Sequence, residues 1–136
     1  MKYKKRIHIA PVGFEVDRIV IPATENKADK VYLLVHNNKT EDKAGPYIER
    51  VIRELKANKI DAERVPVNWR DVESITKAAR KLIIDLSGNE IFINISSGSK
   101  NHAIALDRAI MTLDDQEGIT EFYAESEKYE GFKPGK

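Results

Sequence analysis

Five apolar runs of strand length alternate with segments of helical period along this chain, and that order leaves few folds open. Arg6-Ile7-His8-Ile9-Ala10-Pro11 reads as a first strand and Lys30-Val31-Tyr32-Leu33-Leu34-Val35-His36 as a second. Ile60-Asp61-Ala62-Glu63-Arg64-Val65-Pro66 alternates in part, as an edge strand does. Glu90 to Ile95 forms a fourth strand and Gly118 to Ala124 a fifth. Between them, Tyr47, Ile48, Val51, Ile52 and Leu55 share one helical face. Val72, Ile75, Ala79, Leu82, Ile83 and Leu86 share another, closed by Ser87-Gly88-Asn89. Ala103 to Leu113 reads as a further, largely apolar helix. Val16, Ile19, Val20 and Ala23 have helical spacing too, but Pro22 lacks a backbone N–H, which predicts a kink or a helix in two parts.

Such alternation predicts a Rossmann-like α/β sandwich of three layers, a parallel sheet with helices on both faces. With the common strand order 3-2-1-4-5, strands one and four meet where the winding reverses. Ligands bind beyond the carboxyl ends of strands at that point. The two loops leaving those strands are the two unusual ones in the sequence. Pro11-Val12-Gly13-Phe14-Glu15 follows the first strand, and Ser96-Ser97-Gly98-Ser99-Lys100-Asn101 follows Asn94-Ile95. The second loop offers three hydroxyls, a glycine, a lysine and free backbone N–H groups at a helix start, a set suited to an anion such as a phosphodiester.

Composition narrows the partners. The 136 residues suit one domain, with 33% charged and 41% hydrophobic residues and a formal net charge of +1. Nothing global favours duplex nucleic acid, so an anion site must be local. The absence of cysteine excludes disulfides and thiolate sites. No apolar run reaches the roughly 18 residues of a membrane span, and no signal peptide is visible, so the expected location is cytoplasmic. His8, His36 and His102 have no metal-ligand spacing, so neither a metal nor another cofactor is expected. No G-x-G-x-x-G follows the first strand, which speaks against a nicotinamide-type dinucleotide. Ser97-Gly98-Ser99-Lys100-Asn101 echoes the end of a P-loop but lacks its leading glycine and its final Ser/Thr. The positions a phospho-receiver would fill with acids read Pro11-Val12-Gly13 and Pro66-Val67-Asn68.

Ile7-His8-Ile9-Ala10-Pro11-Val12-Gly13-Phe14-Glu15 and Asn94-Ile95-Ser96-Ser97-Gly98-Ser99-Lys100 together resemble the CRISPR-associated Rossmann fold (CARF) family. The likeness is in particular to archaeal members in which such a domain precedes a winged helix. It spans essentially the whole chain and implies a ligand-sensing domain over residues 1–126, with a flexible tail over 127–136. It also implies a homodimer that binds cyclic oligoadenylate, the second messenger of type III CRISPR antiviral defence, as a tetra- or hexa-adenylate ring. Val12, Gly13, Phe14, Asn94, Ser96, Ser97, Gly98, Ser99, Lys100 and Asn101 are then the expected ligand-binding residues. Some members cleave the ring without metal, and for that Ser97, Lys100 and His102 are the candidate catalytic residues. No well-placed acid–base pair is visible, so a sensor is the first expectation, a ring nuclease the second and the ligand-binding part of a transcriptional regulator the third. No winged helix follows Ala124, so this chain alone is not expected to bind duplex DNA.

Among single residues, His8 reads as a satisfied interior histidine and Trp69 as packing. Asp17 and Arg18 read as surface charges, while His36 and Asn37-Asn38 border the expected cleft.

Overall fold

A computed structural model describes residues 3–124. The chain runs β1 Arg6–Pro11, α1 Asp17–Glu25, β2 Lys30–His36, α2 Gly45–Ala57, β3 Asp61–Val67, α3 Val72–Asp85, β4 Glu90–Asn94, α4 Lys100–Met111 and β5 Ile119–Phe122. All neighbouring strands are parallel and the sheet order is β3-β2-β1-β4-β5, as the alternation predicts. The sheet separates two apolar layers. Val31, Leu33 and Val35 of β2 pack with Val51 and Leu55 of α2 on one side, together with Ile19 and Ala23 of α1. Ile9, Leu34, Ile91 and Ile93 pack with Ile75, Ala79 and Ile83 of α3 and with Leu106 and Ala109 of α4 on the other. Strands buried on both faces explain the continuous apolar runs of β1, β2 and β4.

Element bounds differ from the sequence reading at a few ends. β3 sits one residue later, and β5 is shorter than the apolar run. β4 ends at Asn94, because Asn94 turns its side chain onto the loop that follows. α4 begins three residues before Ala103, because Ser99 caps it. Ser87-Gly88-Asn89 does close α3: Gly88 has φ 96° and Asn89 Nδ2 donates to the Leu86 carbonyl at 2.9 Å.

Of the kink or two-part helix expected at Pro22, the two-part helix does not occur. α1 is one helix over Asp17–Glu25 with Pro22 inside it. Pro22 withholds the N–H that the Arg18 carbonyl would accept, and Asn94 Nδ2 donates to that carbonyl instead, at 2.8 Å. The expected tail over 127–136 lies outside the described residues.

Candidate functional site

The two loops that leave β1 and β4 touch. A Cβ placed on Gly13 would stand 3.1 Å from both Cα and N of Gly98. Gly98 itself has φ 79°, and a Cβ there would meet Pro11 Cβ at 2.7 Å and His102 Nδ1 at 2.9 Å. Glycine is thus a steric requirement at Gly98, while a side chain at Gly13 would crowd the Gly98 backbone and push the two loops apart by a few tenths of an ångström. The contact lies at the carboxyl edge of the sheet, where the winding reverses, as the topology argument placed it.

Beneath this contact, Asn94 and Ser96 are buried and their polar groups point inward. Asn94 Oδ1 accepts from the Ser96 N–H at 2.9 Å and from the Ser96 hydroxyl at 2.5 Å. Arg18 donates from Nη1 to the Ser96 carbonyl at 3.0 Å, while its Nε lies 2.9 Å from Glu15 Oε1. These two residues of the expected ligand set shape the loop from below. Arg18, read from sequence as a surface charge, has a mostly buried side chain that joins both loops. Glu15, which would repel an anion, is neutralised by the same contact.

At the start of α4, Ser99 Oγ accepts from the His102 N–H at 3.4 Å, and His102 Nδ1 accepts from the Ser99 N–H at 3.0 Å. This is a capping box with histidine in place of the usual Glu or Gln at the third position. Nδ1 lies where it receives a proton, so the neutral ring carries its own proton on Nε2. Burial, with a smaller contribution from His36, lowers the His102 pKa to about 4. Lys100 leads the helix and is exposed, and no acid stands in the first turn. A lysine at the positive end of a helix dipole, unneutralised within that turn, favours an anion there. Ser97 is buried, and its hydroxyl has no hydrogen-bond partner. Asn101 Nδ2 donates to the Trp69 carbonyl at 3.4 Å.

Beside these loops opens a cleft of about 140 Å³, walled by Val12, Gly13, Phe14, Gly98, Ser99 and His102, with Leu34 and His36 of β2. Trp69 also lines it. Its ring lies 5.2 Å from that of His36 and 6.4 Å from that of His102, so an expected packing residue is part of the wall. Phe14 is 61% exposed and rests edge-on against Tyr47, with ring centroids 5.5 Å apart. His36 lies in the cleft wall, as its place after the second strand suggested, and its Nε2 is 3.2 Å from Glu41 Oε1.

Two cations here escaped the sequence reading. Lys43 lines the cleft, and Arg70 adjoins Lys100, Asn101 and Ser99 on its outer side. Asp71 caps α3, accepting from the Glu73 and Ser74 amides, and that cap fixes the turn carrying Trp69 and Arg70. Capping aspartate before an apolar helical run was the available signal. His8 lies away from the cleft, stacked on Phe92 at 5.0 Å. Its Nε2 has no hydrogen-bond partner, so it is not the satisfied histidine expected. Among the described residues no group of three His, Cys, Asp or Glu is placed to hold a metal. No described helix is long and apolar enough to cross a membrane.

The arrangement suits recognition of a ligand carrying both phosphate and planar rings. Backbone amides at the α4 start and the exposed Lys100 lie on one side, and an aromatic cleft lies beside them.

Known proteins of this fold include ligand complexes. Can2 from Sulfobacillus thermosulfidooxidans, in complex with cyclic tetra-adenylate, superposes with TM-score 0.71 at 15% identity, over 90% of this chain and 32% of that one. Csm6 of Enterococcus italicus, bound to cyclic hexa-2′-fluoro-hexa-dAMP, superposes with TM-score 0.67 at 14% identity, over 89% and 34%. The fold is thus shared with these two proteins. In sequence, the uncharacterized protein MJ1513 of Methanocaldococcus jannaschii is 29% identical over 133 residues. That match takes in 93% of this chain, which spans about 40% of the relative's length. A family model described as HFX_2341_N:-like, N-terminal matches residues 6–129. With that match covering most of its length, the chain belongs to the HFX_2341_N:-like, N-terminal family.

Proposed function

We propose that this domain binds a cyclic oligoadenylate, two copies enclosing one ring of four or six adenylates in the cytoplasm. One observation carries the reading: the Gly13 and Gly98 loops touch at the sheet's reversal point, with the lysine-led start of α4 beside them. Gly98, Ser99, Lys100 and Asn101 supply amides, a hydroxyl and a charge to phosphate oxygens. Val12, Gly13 and Phe14 form the opposite lip, and the cleft lined by Trp69 takes one base edge-in. Asn94 and Ser96 act from below by holding the loop. Dimerisation doubles a positive charge that one Lys100 supplies sparingly. The two solved complexes named above support the ligand class, since the proteins of this fold in them hold cyclic adenylate rings.

The mechanism is capture. The ligand selects a closed arrangement of the loops, and closure shifts whatever follows the domain, including a DNA-binding unit in a regulator. A ring nuclease is the second reading, favoured by the unpartnered Ser97 hydroxyl at the loop that carries Lys100. There the ribose 2′-hydroxyl attacks its own phosphodiester and the protein orients and stabilises charge. His102 is a poor base for that step, because its Nδ1 already accepts from Ser99.

The test follows melting temperature and ring integrity together, with chelator present. Cyclic tetra- or hexa-adenylate at about 100 times its dissociation constant raises stability by about 2.7 kcal/mol. The ring is recovered intact, or cleaved far more slowly than the roughly 1–1,000 per second of typical enzymes. Rapid chelator-resistant cleavage, abolished by Ser97→Ala or Lys100→Ala, would make the nuclease reading the right one.

A further inference from the structure

Pro22 and Asn94 meet at one atom, the Arg18 carbonyl oxygen. Pro22 sits in the middle of α1, four residues after Arg18, and has no N–H to return to that carbonyl. Asn94, 76 residues after Arg18 and completely buried, supplies the missing donor from Nδ2 at 2.8 Å. Its other side-chain atom is also committed, since Oδ1 accepts from both the amide and the hydroxyl of Ser96. One amide side chain therefore fixes α1 against the loop that starts at the end of β4.

Arg18 closes the circuit from the other direction. Its guanidinium donates to the Ser96 carbonyl at 3.0 Å and pairs with Glu15 in the loop leaving β1. Both faces of Arg18, backbone and side chain, thus tie the Glu15 loop to the Ser96 loop. The Gly13–Gly98 contact rests on this tie, because both glycines lie within two or three residues of it.

We infer that Pro22 and Asn94 are a matched pair, and that Asn94 is a positioning residue setting the spacing of the two loops. The proline leaves a carbonyl open within α1, and only a donor from the β4 end fills it. An ordinary residue at position 22 would let α1 satisfy itself, and the helix would no longer depend on Asn94. The structural pairing stands on its own; its bearing on ligand rests on the cyclic oligoadenylate reading.

The test is a double-mutant cycle on the full chain with Asn94→Ala, Pro22→Ala and the two together. Asn94→Ala lowers the melting temperature by several degrees in the parent, and by measurably less in the Pro22→Ala background, where the Arg18 carbonyl has its helical donor. Amide exchange at residues 97–100 and at Gly13 rises in Asn94→Ala, and stays raised when Pro22→Ala is added, because the contacts of Asn94 with Ser96 are still missing. Cyclic tetra-adenylate, titrated into the same four proteins, binds Asn94→Ala roughly tenfold more weakly than the parent and regains little of that loss in the double variant. Should Asn94→Ala not fold, the same cycle with Asn94→Ser, which leaves a smaller void, takes its place. Equal melting losses in both backgrounds would overturn the pairing. Coupled melting losses with unchanged loop exchange would overturn the positioning role. If the parent does not bind cyclic tetra-adenylate, the proposed function fails while the melting and exchange results still decide this inference.

Discussion

Gly98 carries three demands at once: a positive φ, the approach of Gly13, and the crowding of Pro11 and His102 around the place a Cβ would take. Gly98→Ala is therefore expected to destabilise the fold by about 2 kcal/mol or more, read from urea unfolding, since left-handed backbone alone costs roughly 1–2 kcal/mol. Lys100 is exposed and supports no packing, so Lys100→Ala leaves the melting temperature of the free protein unchanged. It weakens ring binding roughly tenfold and flattens the salt dependence, because a charge-assisted contact is lost. The histidines set the acid limit. Burial, aided by Arg6, lowers the His8 pKa to about 4, and burial, aided by His36, lowers that of His102 to about 4. Both rings are neutral in the fold, whereas the unfolded chain takes up protons from about pH 6.5 downward. Between those values the unfolded state holds more protons, so stability is complete above pH 6.5 and declines as the pH falls toward 4. Full loss amounts to on the order of 3 kcal/mol per histidine. His8→Phe, which fits the stack with Phe92 and Phe122, is expected to flatten this slope in melting curves from pH 4 to 7.

Elements were legible in the sequence where periodicity alone decides them. The runs that became β1 and β2 have the bounds read from the chain, and the apolar face of α3 with its Ser87-Gly88-Asn89 stop was plain. What escaped was everything fixed by contacts distant in sequence. Pro22 reads as a helix breaker because its rescue comes from Asn94, across the fold. Trp69 reads as packing because only the assembled sheet edge sets it beside His36 and His102. Arg18 reads as a surface charge because its carbonyl partner, Ser96, arrives from another strand. The candidate site was visible as two unusual loops, and topology brought them together. Its cationic rim was not: Lys43 stands in a segment without any marked pattern, and the Asp71 cap beside Arg70 marks a helix start but not which way the preceding side chain faces. The α3 start yields a prediction at this scale. Asp71→Ala removes the cap and costs about 1 kcal/mol. It also loosens the turn that presents Trp69 and Arg70, so ring affinity drops although neither side chain is altered; calorimetric titration of the variant checks this.

At the scale of the whole molecule, the proposed function makes a single domain one half of a ring-binding surface. A cyclic tetra-adenylate carries four phosphates, and one lysine-led helix start cannot neutralise them. In the proposed dimer, two domains related by a two-fold axis would present paired Ser99-Lys100 starts and two aromatic clefts, in keeping with the repeat of the ring. Light scattering is accordingly expected to give twice the chain mass at micromolar concentration. The most direct measurement is isothermal titration of the protein with cyclic tetra-adenylate and cyclic hexa-adenylate, using linear tetra-adenylate as the control. The account predicts saturable binding of at least one of the two rings at one ring per two chains, with the linear control much weaker. Absence of saturable binding by either ring, or binding of the linear control as tight as that of the rings, would contradict it.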